Sequence, residues 1–298
     1  MKEKIVNIET VYQCNSCMGC HTLYPLASVI DLSKANLEQR TVRFDFYTVL
    51  LVEGQVEDFL YGRKYYDYSN ASVVFLRPGE SVKIDKCKLF PPKGWLLAFH
   101  PDLLHRTSLG DNLSNYTFFR YNPNEALHLS LREKAKAIAC LTNVGEELQH
   151  AVDRHSKILI SRSIELFLDY CSRYYERQFI TREEANKGIV GQTDAFLDGY
   201  IRSGCLKTNL PPSVEYCASI FHLSPTYFND LLKFETGKTF AEYFHFKRFE
   251  IAKEMLSDAA NTAGKVANEL GFANVQYFSR LFKKLTGIAP NEYRITRN

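Results

Sequence analysis

The chain has 298 residues, 45% of them hydrophobic and 24% charged, and a formal net charge of +3. That composition fits a folded protein long enough for two domains, and the small charge rules out bulk electrostatics as an argument for a nucleic-acid partner. The opening MKEKIVNIETVYQ has no apolar run for a secretory signal, and no stretch reaches the length of a spanning helix, so a cytoplasmic location without membrane contact is the expectation.

The first chemically distinctive segment is CNSCMGCH, with Cys14, Cys17, Cys20 and His21. Three thiolates and an imidazole can hold zinc, although adjacent Cys20 and His21 strain joint ligation. A C-x-x-C pair can close a disulfide. CMGCH also matches the c-type haem attachment pattern, and an iron–sulfur cluster would need a fourth ligand that nothing fixes. The plainest alternative is no cofactor, which is the expectation here. Cys87, Cys140, Cys171, Cys205 and Cys217 are scattered, as buried structural cysteines are.

Residues 1 to about 125 read as strand-rich. TVRFDFYTVLLVEG combines β-branched and aromatic residues and ends on Gly54; ASVVFLRPGESVKI is strand, Pro78-Gly79 turn, strand; GWLLAFHPDLL is a third apolar run. Short strands with such turns favour a small barrel or sandwich. Phe44, Phe46 and Tyr47 are candidates for lining an effector cavity, and core packing explains them equally well.

From about Asn124 the period becomes helical. ALHLSLREKAKAIACLTNVGEELQHAVDRH reads as one helix and SKILISRSIELFLDYCSRYYERQF as a second, anchored by Ile158, Ile164, Phe167 and Leu168. The pair can pack on the barrel or form a seam between two copies. ITREEANKG places Thr181 as an N-cap, with Glu183 and Glu184 in the first turn. Two prolines close the segment from Gly204 to Pro212, which marks a boundary. The expected organisation is 1–125 barrel, 126–203 helical region and linker, and 204–298 C-terminal domain.

That last domain contains one segment twice. YFNDLLKFETGKTFAEY starts at Tyr227 and YFSRLFKKLTGIAPNEY at Tyr277, with Phe228/Phe278, Leu231/Leu281, Lys233/Lys283, Thr236/Thr286, Gly237/Gly287, Glu242/Glu292 and Tyr243/Tyr293 in register. A repeat this well aligned is a strong organisational signal, and each copy reads as a helix-turn-helix. Ser224 and Pro225 open the first recognition helix and Gly237 stops it. Phe228, Leu231 and Leu232 face the core, leaving Thr226, Tyr227, Asn229, Asp230 and Lys233 on the other face. A helix from Lys238 to Leu256 connects the units. Asn274 caps the second recognition helix, where Phe278, Leu281 and Phe282 are core and Val275, Gln276, Tyr277, Ser279, Arg280, Lys283 and Lys284 point outward.

These side chains suit double-stranded DNA. Gln276 can pair with adenine, Arg280 with guanine, and Val275 can meet a thymine methyl. Lys283 and Lys284 suit phosphate, as do helix N-terminal groups at Ser224 and Asn274 and the cation of Lys233. From Pro211 to Asn298 there are 11 Lys/Arg against 9 Asp/Glu, a net of +2, so the helix pattern carries the case.

The run KVANELGFANVQYFSRLFKKLTGIAPNEYR, with SPTYFNDLLKFETGKTFAEY before it, resembles the AraC/XylS family of transcription regulators. The resemblance covers about Leu210 to Arg294. It extends less specifically to the N-terminal part, where KGWLLAFHPDLLHRTSLG is similar to a run in the family's cupin-type regulatory domains. It implies an α+β chain: a cupin-like barrel, a helical dimerisation region, and an all-α domain with tandem helix-turn-helix units. By the family pattern, base-reading positions fall on Thr226, Asn229 and Asp230, and on Val275, Gln276, Tyr277 and Arg280. Asp230 departs from it, since a basic residue is easier to place against phosphate. The resemblance further implies promoter DNA and RNA polymerase as partners, activation of transcription, a homodimer and a small-molecule effector. Cupin enzymes offer a His-x-His set; TVRFDFY has no histidine, and His100 and His105 are separated by Pro101, so the barrel reads as non-catalytic. A cupin metal enzyme fused to a DNA-binding tail and an architectural DNA binder without a sensor are the alternatives.

Overall fold

The structure is a computed structural model that describes residues 5–35, 40–53, 63–64, 67–84, 93–208, 210–258 and 260–297. Gly54 and Cys87 lie outside the described residues. The chain divides into two compact units, Met1–Arg182 and Glu183–Asn298. Among the described residues, no helix is long and apolar enough to cross a membrane.

The first unit runs β1 (Ile5–Ile8), α1 (Val11–Met18), β2 (Ala27–Asp31), β3 (Arg40–Phe44), β4 (Tyr47–Glu53), β5 (Ala71–Leu76), β6 (Glu80–Ile84), β7 (Gly94–Phe99), the short helices α2 (Pro101–Leu104) and α3 (Ser108–Asn112), then β8 (Leu127–Leu129), α4 (Leu131–Gln149) and α5 (Ser156–Thr181). Two sheets result, ordered β1-β3-β6 and β2-β7-β4-β5-β8. Among the described residues, only β1 and β3 pair in parallel. The run TVRFDFYTVLLVE is thus two strands in different sheets. The corner between them is held by Asp45 N–H donating to the Ile8 carbonyl at 3.0 Å. The Pro78-Gly79 turn also passes from one sheet to the other.

Ile8, Val42 and Phe44 of the first sheet share one core with Ile30, Leu50, Val52, Val74, Leu76, Leu96 and Ala98 of the second. The opposite face of the second sheet is buried too, through Val49, Leu51, Val73, Phe75, Leu97 and Phe99. An antiparallel sheet with one wet face alternates apolar and polar residues. This one is covered on both faces, which explains why its strands read as unbroken apolar runs.

The helix expected from Ala126 begins only at Leu131. Residues 127–129 form the edge strand β8, and Ser130 caps α4 in a capping box with Glu133. Gln178 of α5 covers that edge: its amide donates to the Ala126 carbonyl at 3.0 Å and accepts from His128 N–H at 2.8 Å. A side-chain amide here stands in for a neighbouring strand. α5 buries Ile164, Phe167 and Leu168 as expected, whereas Ile158 is 44% exposed. Thr181 is not an N-cap. It is the last residue of α5, and its hydroxyl donates back to the Gln178 carbonyl at 3.0 Å.

The second unit is all helix: α6 (Glu183–Arg202), α7 (Val214–Ile220), α8 (Pro225–Thr236), α9 (Phe240–Leu256), α10 (Ala263–Glu269), α11 (Val275–Thr286) and α12 (Pro290–Arg297). Its core joins Leu197 and Ile201 of α6 to Phe228, Leu232, Phe244, Phe249, Val266, Phe278 and Phe282. The residues 126–203 are therefore not one region. α4 and α5 belong to the first unit and α6 to the second, because the apolar stripe of α6 faces this core.

Candidate nucleic-acid interface

α7–α8 and α10–α11 repeat one local plan. Ser224 Oγ accepts from Tyr227 N–H at 3.2 Å, and Asn274 Oδ1 accepts from Tyr277 N–H at 2.7 Å. Gly237 and Gly287 end α8 and α11 in the left-handed region, donating to Lys233 O and Lys283 O, each at 2.9 Å. Thr236 and Thr286 donate back to Leu232 O and Phe282 O, at 2.7 and 2.8 Å. Glu242 and Glu292 close the next turns by accepting from Thr239 N–H and Ala289 N–H. Most matched pairs of the repeat are thus core or capping residues.

The turns differ by one residue. Leu223 N–H donates to Ala218 O, and Phe272 N–H to Ala267 O, an offset one shorter than that between α8 and α11. His222 takes positive φ in the first turn and Gly271 in the second. Gly271 is required there: a Cβ would sit 2.5 Å from the Leu206 carbonyl oxygen.

α11 buries Phe278 and Phe282 and leaves Gln276, Tyr277, Arg280, Lys283 and Lys284 exposed, with Val275, Ser279 and Leu281 half-buried. The Arg280 guanidinium lies 5.8 Å from the Tyr277 ring centre. Asn274, Gln276, Tyr277 and Arg280 line an open depression at the start of this helix.

α8 buries a wider arc, Tyr227, Phe228, Leu231 and Leu232. Tyr227 is only 2% exposed, which corrects its placement on the outer face. Ser224 is 3% exposed and its hydroxyl is used as the helix cap, so its side chain is not presented to a phosphate as expected. Thr226, Asn229 and Asp230 are half-buried and Lys233 is exposed. Asn229 Oδ1 accepts from Phe240 N–H at 3.0 Å, capping α9.

Sequence reasoning missed two supports. Arg248 of α9, 5% exposed, donates to the Leu270 carbonyl at 2.5 Å and lies 4.0 Å from the Phe272 ring centre. Burial brings its pKa down to about 10, so it stays charged near neutrality. Asp194 of α6 accepts from the Tyr243 hydroxyl at 2.7 Å and from Lys247 Nζ at 3.0 Å. Burial alone would raise the Asp194 carboxyl; those two donors outweigh it and hold the pKa below the usual range. The periodicity of α9 marks Arg248 only as a cation amid apolar positions, and nothing local pairs Asp194 with α9.

In the first unit, Cys14 is buried on α1, Cys17 is exposed, and Cys20 follows the Gly19 cap half-buried, with His21 exposed. Burial pushes the Cys14 thiol up to about 12, which disfavours the thiolate a metal needs. Among the described residues, no group of three or more His, Cys, Asp or Glu is placed to hold a metal ion. Phe44 and Phe46 are fully buried with ring centres 5.4 Å apart, and Tyr47 stacks on Phe99 at 5.1 Å. All three pack against other side chains of the unit.

Residues 217–295 match the family described as a helix-turn-helix domain. Over 84 residues the chain is 38% identical to YobQ, an uncharacterized HTH-type transcriptional regulator of Bacillus subtilis (strain 168), covering 28% of this chain and 35% of that one. Over 74 residues it is 40% identical to YesN, an uncharacterized transcriptional regulatory protein of the same organism, covering 24% of this chain and 20% of that one. The C-terminal domain of AraT, a response regulator from Geobacillus stearothermophilus, is 31% identical, with 35% of this chain and 84% of that chain covered and a TM-score of 0.29. The matched segment spans 35% of YobQ and 20% of YesN, well short of either whole protein. Residues 217–295 thus match a helix-turn-helix domain, and this stretch is similar to segments of HTH-type transcriptional regulators.

Proposed function

We propose that this protein is a sequence-specific, cytoplasmic regulator that activates transcription from promoter DNA. α8 and α11 act as tandem recognition helices in successive major grooves, spaced by α9. The observation that carries this reading is the repeated capping scheme, which builds two like helices and leaves on α11 an exposed face of Gln276, Tyr277, Arg280, Lys283 and Lys284. Gln276, Arg280 and Val275 read bases together with Tyr277; Thr226, Asn229 and Asp230 are their counterparts on α8. Lys233, Lys283, Lys284 and the exposed Asn274 meet phosphates.

The first unit serves as a cupin-like regulatory domain, a reading supported by its two sheets sharing one core. It takes no catalytic role. α4 and α5 form the seam of a homodimer, and the exposed Leu159 and Leu166 of α5 support this. RNA polymerase and a small effector are the further partners. The test is selection of genomic DNA fragments by purified full-length protein, with and without reductant and chelator. A recurrent two-block motif upstream of genes is expected. Enrichment without any motif would reject sequence-specific reading.

A further inference from the structure

The two recognition helices are electrically unlike. α8 carries Asp230 and Glu235 against Lys233, a net of −1; α11 carries Arg280, Lys283 and Lys284 and no carboxylate, a net of +3. All three α11 cations are exposed. Against a polyanion, a cation that neutralises a phosphate gains from released counterions, whereas a carboxylate facing the backbone is repelled.

The groups able to read bases are divided in the same direction. On α8 the Asn229 oxygen is engaged by Phe240 N–H, Ser224 is a buried cap and Tyr227 is 2% exposed. On α11 the matching Tyr277 is 42% exposed, and Gln276 and Arg280 stand beside it along the same depression. An amide whose oxygen already accepts a backbone N–H is held in that orientation with one lone pair left, so it is less available for the two-point contact with adenine than the exposed amide of Gln276.

We propose that DNA binding is polarised: α11 anchors the protein, supplying most of the phosphate attraction and the base reading, and α8 docks as the weaker arm. The proposal rests on the DNA-binding reading above and adds where affinity and specificity reside. The operator is then lopsided, with one strongly specified block under α11 and a degenerate one under α8. Asp230 tempers affinity, which keeps the α8 contact reversible while α11 stays bound.

The test uses the full chain and DNA selected by it from a random pool, with affinity followed across salt concentration. The variants are the triple Arg280→Ala/Lys283→Ala/Lys284→Ala, the single Lys284→Ala, Lys233→Ala and Asp230→Asn, each checked by circular dichroism and thermal melting for an unchanged fold. The wild-type motif is expected to hold one strong and one weak block. The triple variant should weaken binding at least about tenfold and flatten the salt slope by about 0.9 per phosphate contact removed. Lys233→Ala should cost less than about threefold and Asp230→Asn should tighten binding. Two blocks of equal information, or a Lys233→Ala loss equal to that of Lys284→Ala, overturns the polarity while leaving DNA reading intact. Equal binding of selected and scrambled DNA by the wild type overturns the underlying reading instead.

Discussion

The Arg248 guanidinium donates to the carbonyl oxygen of Leu270 at 2.5 Å, from the connecting helix α9 to the turn that precedes α11. Leu270 is the residue that ends α10, its N–H donating back to the Val266 carbonyl, and the next residue is the left-handed Gly271. The contact therefore ties α9 to the turn from which α11 starts. Arg248→Met keeps much of the volume and removes the donor, leaving the Leu270 carbonyl unpaired in a buried place. A loss of about 1–3 kcal/mol in unfolding free energy is expected. Denaturant titration measures it, and a variant as stable as the wild type would show the contact to be idle.

Asn229 separates a capping role from a reading role. Its side-chain oxygen accepts from Phe240 N–H, beside the capping box of Thr239 and Glu242 at the start of α9. Asn229→Ala loses the acceptor and should cost about 1 kcal/mol, as lost helix caps do. Asn229→Asp keeps the acceptor and should stay near wild-type stability. Thermal melts of both variants check this. Equal destabilisation by Ala and Asp would remove the cap from the account.

The C-terminal unit was legible because its signals are local. Ser224, Pro225, Gly237, Asn274 and Gly287 state helix ends within a few residues, and the repeat supplies each signal twice. What escaped was set by distant partners. Tyr227 and Tyr277 occupy the same place in the repeat, yet one is buried and the other half-exposed, since the width of a buried arc depends on what packs there. In the first unit, a continuous apolar run hid the corner at Asp45 and Phe46, because a chain that changes sheets keeps both halves buried. β8 escaped for the same reason: LHL is a strand only because β5 and Gln178 flank it. For the candidate site, the residue types on α11 were readable, whereas the engagement of Asn229 and Ser224 by the backbone was not.

The cysteines of α1 make a chemical prediction. Cys17 is exposed, while Cys14 is buried with its thiol pushed up to about 12, and Cys171 of α5 is buried with its thiol raised by desolvation. Alkylation needs both access and thiolate. Brief treatment with iodoacetamide near neutral pH should label Cys17 in the native protein and leave Cys14 and Cys171 unlabelled until denaturant is added. Peptide mass spectrometry reads the order. Native labelling of Cys14 as fast as that of Cys17 would contradict the burial of α1.

Asp194 ties α6 to α9 and gives the second unit an acid-sensitive joint. Its folded pKa lies below the ordinary carboxylate value, because the donors Lys247 and Tyr243 outweigh burial. A carboxyl with a lowered folded pKa binds its proton more readily when unfolded. Its stabilisation is therefore complete above the unfolded value, about 4, and is lost as pH falls through the folded one. Asp194→Asn removes that dependence while keeping the shape. Urea midpoints of wild type and variant, followed downward from neutral pH, should be well separated at first and converge once Asp194 takes its proton in the folded state. Tyr243→Phe deletes one of the two donors and brings the folded value closer to the unfolded one, so the fall should be smaller in that variant and be complete at higher pH than in the wild type. Parallel curves for wild type and Asp194→Asn at every pH would mean that ionisation of Asp194 contributes nothing to the stability of this unit.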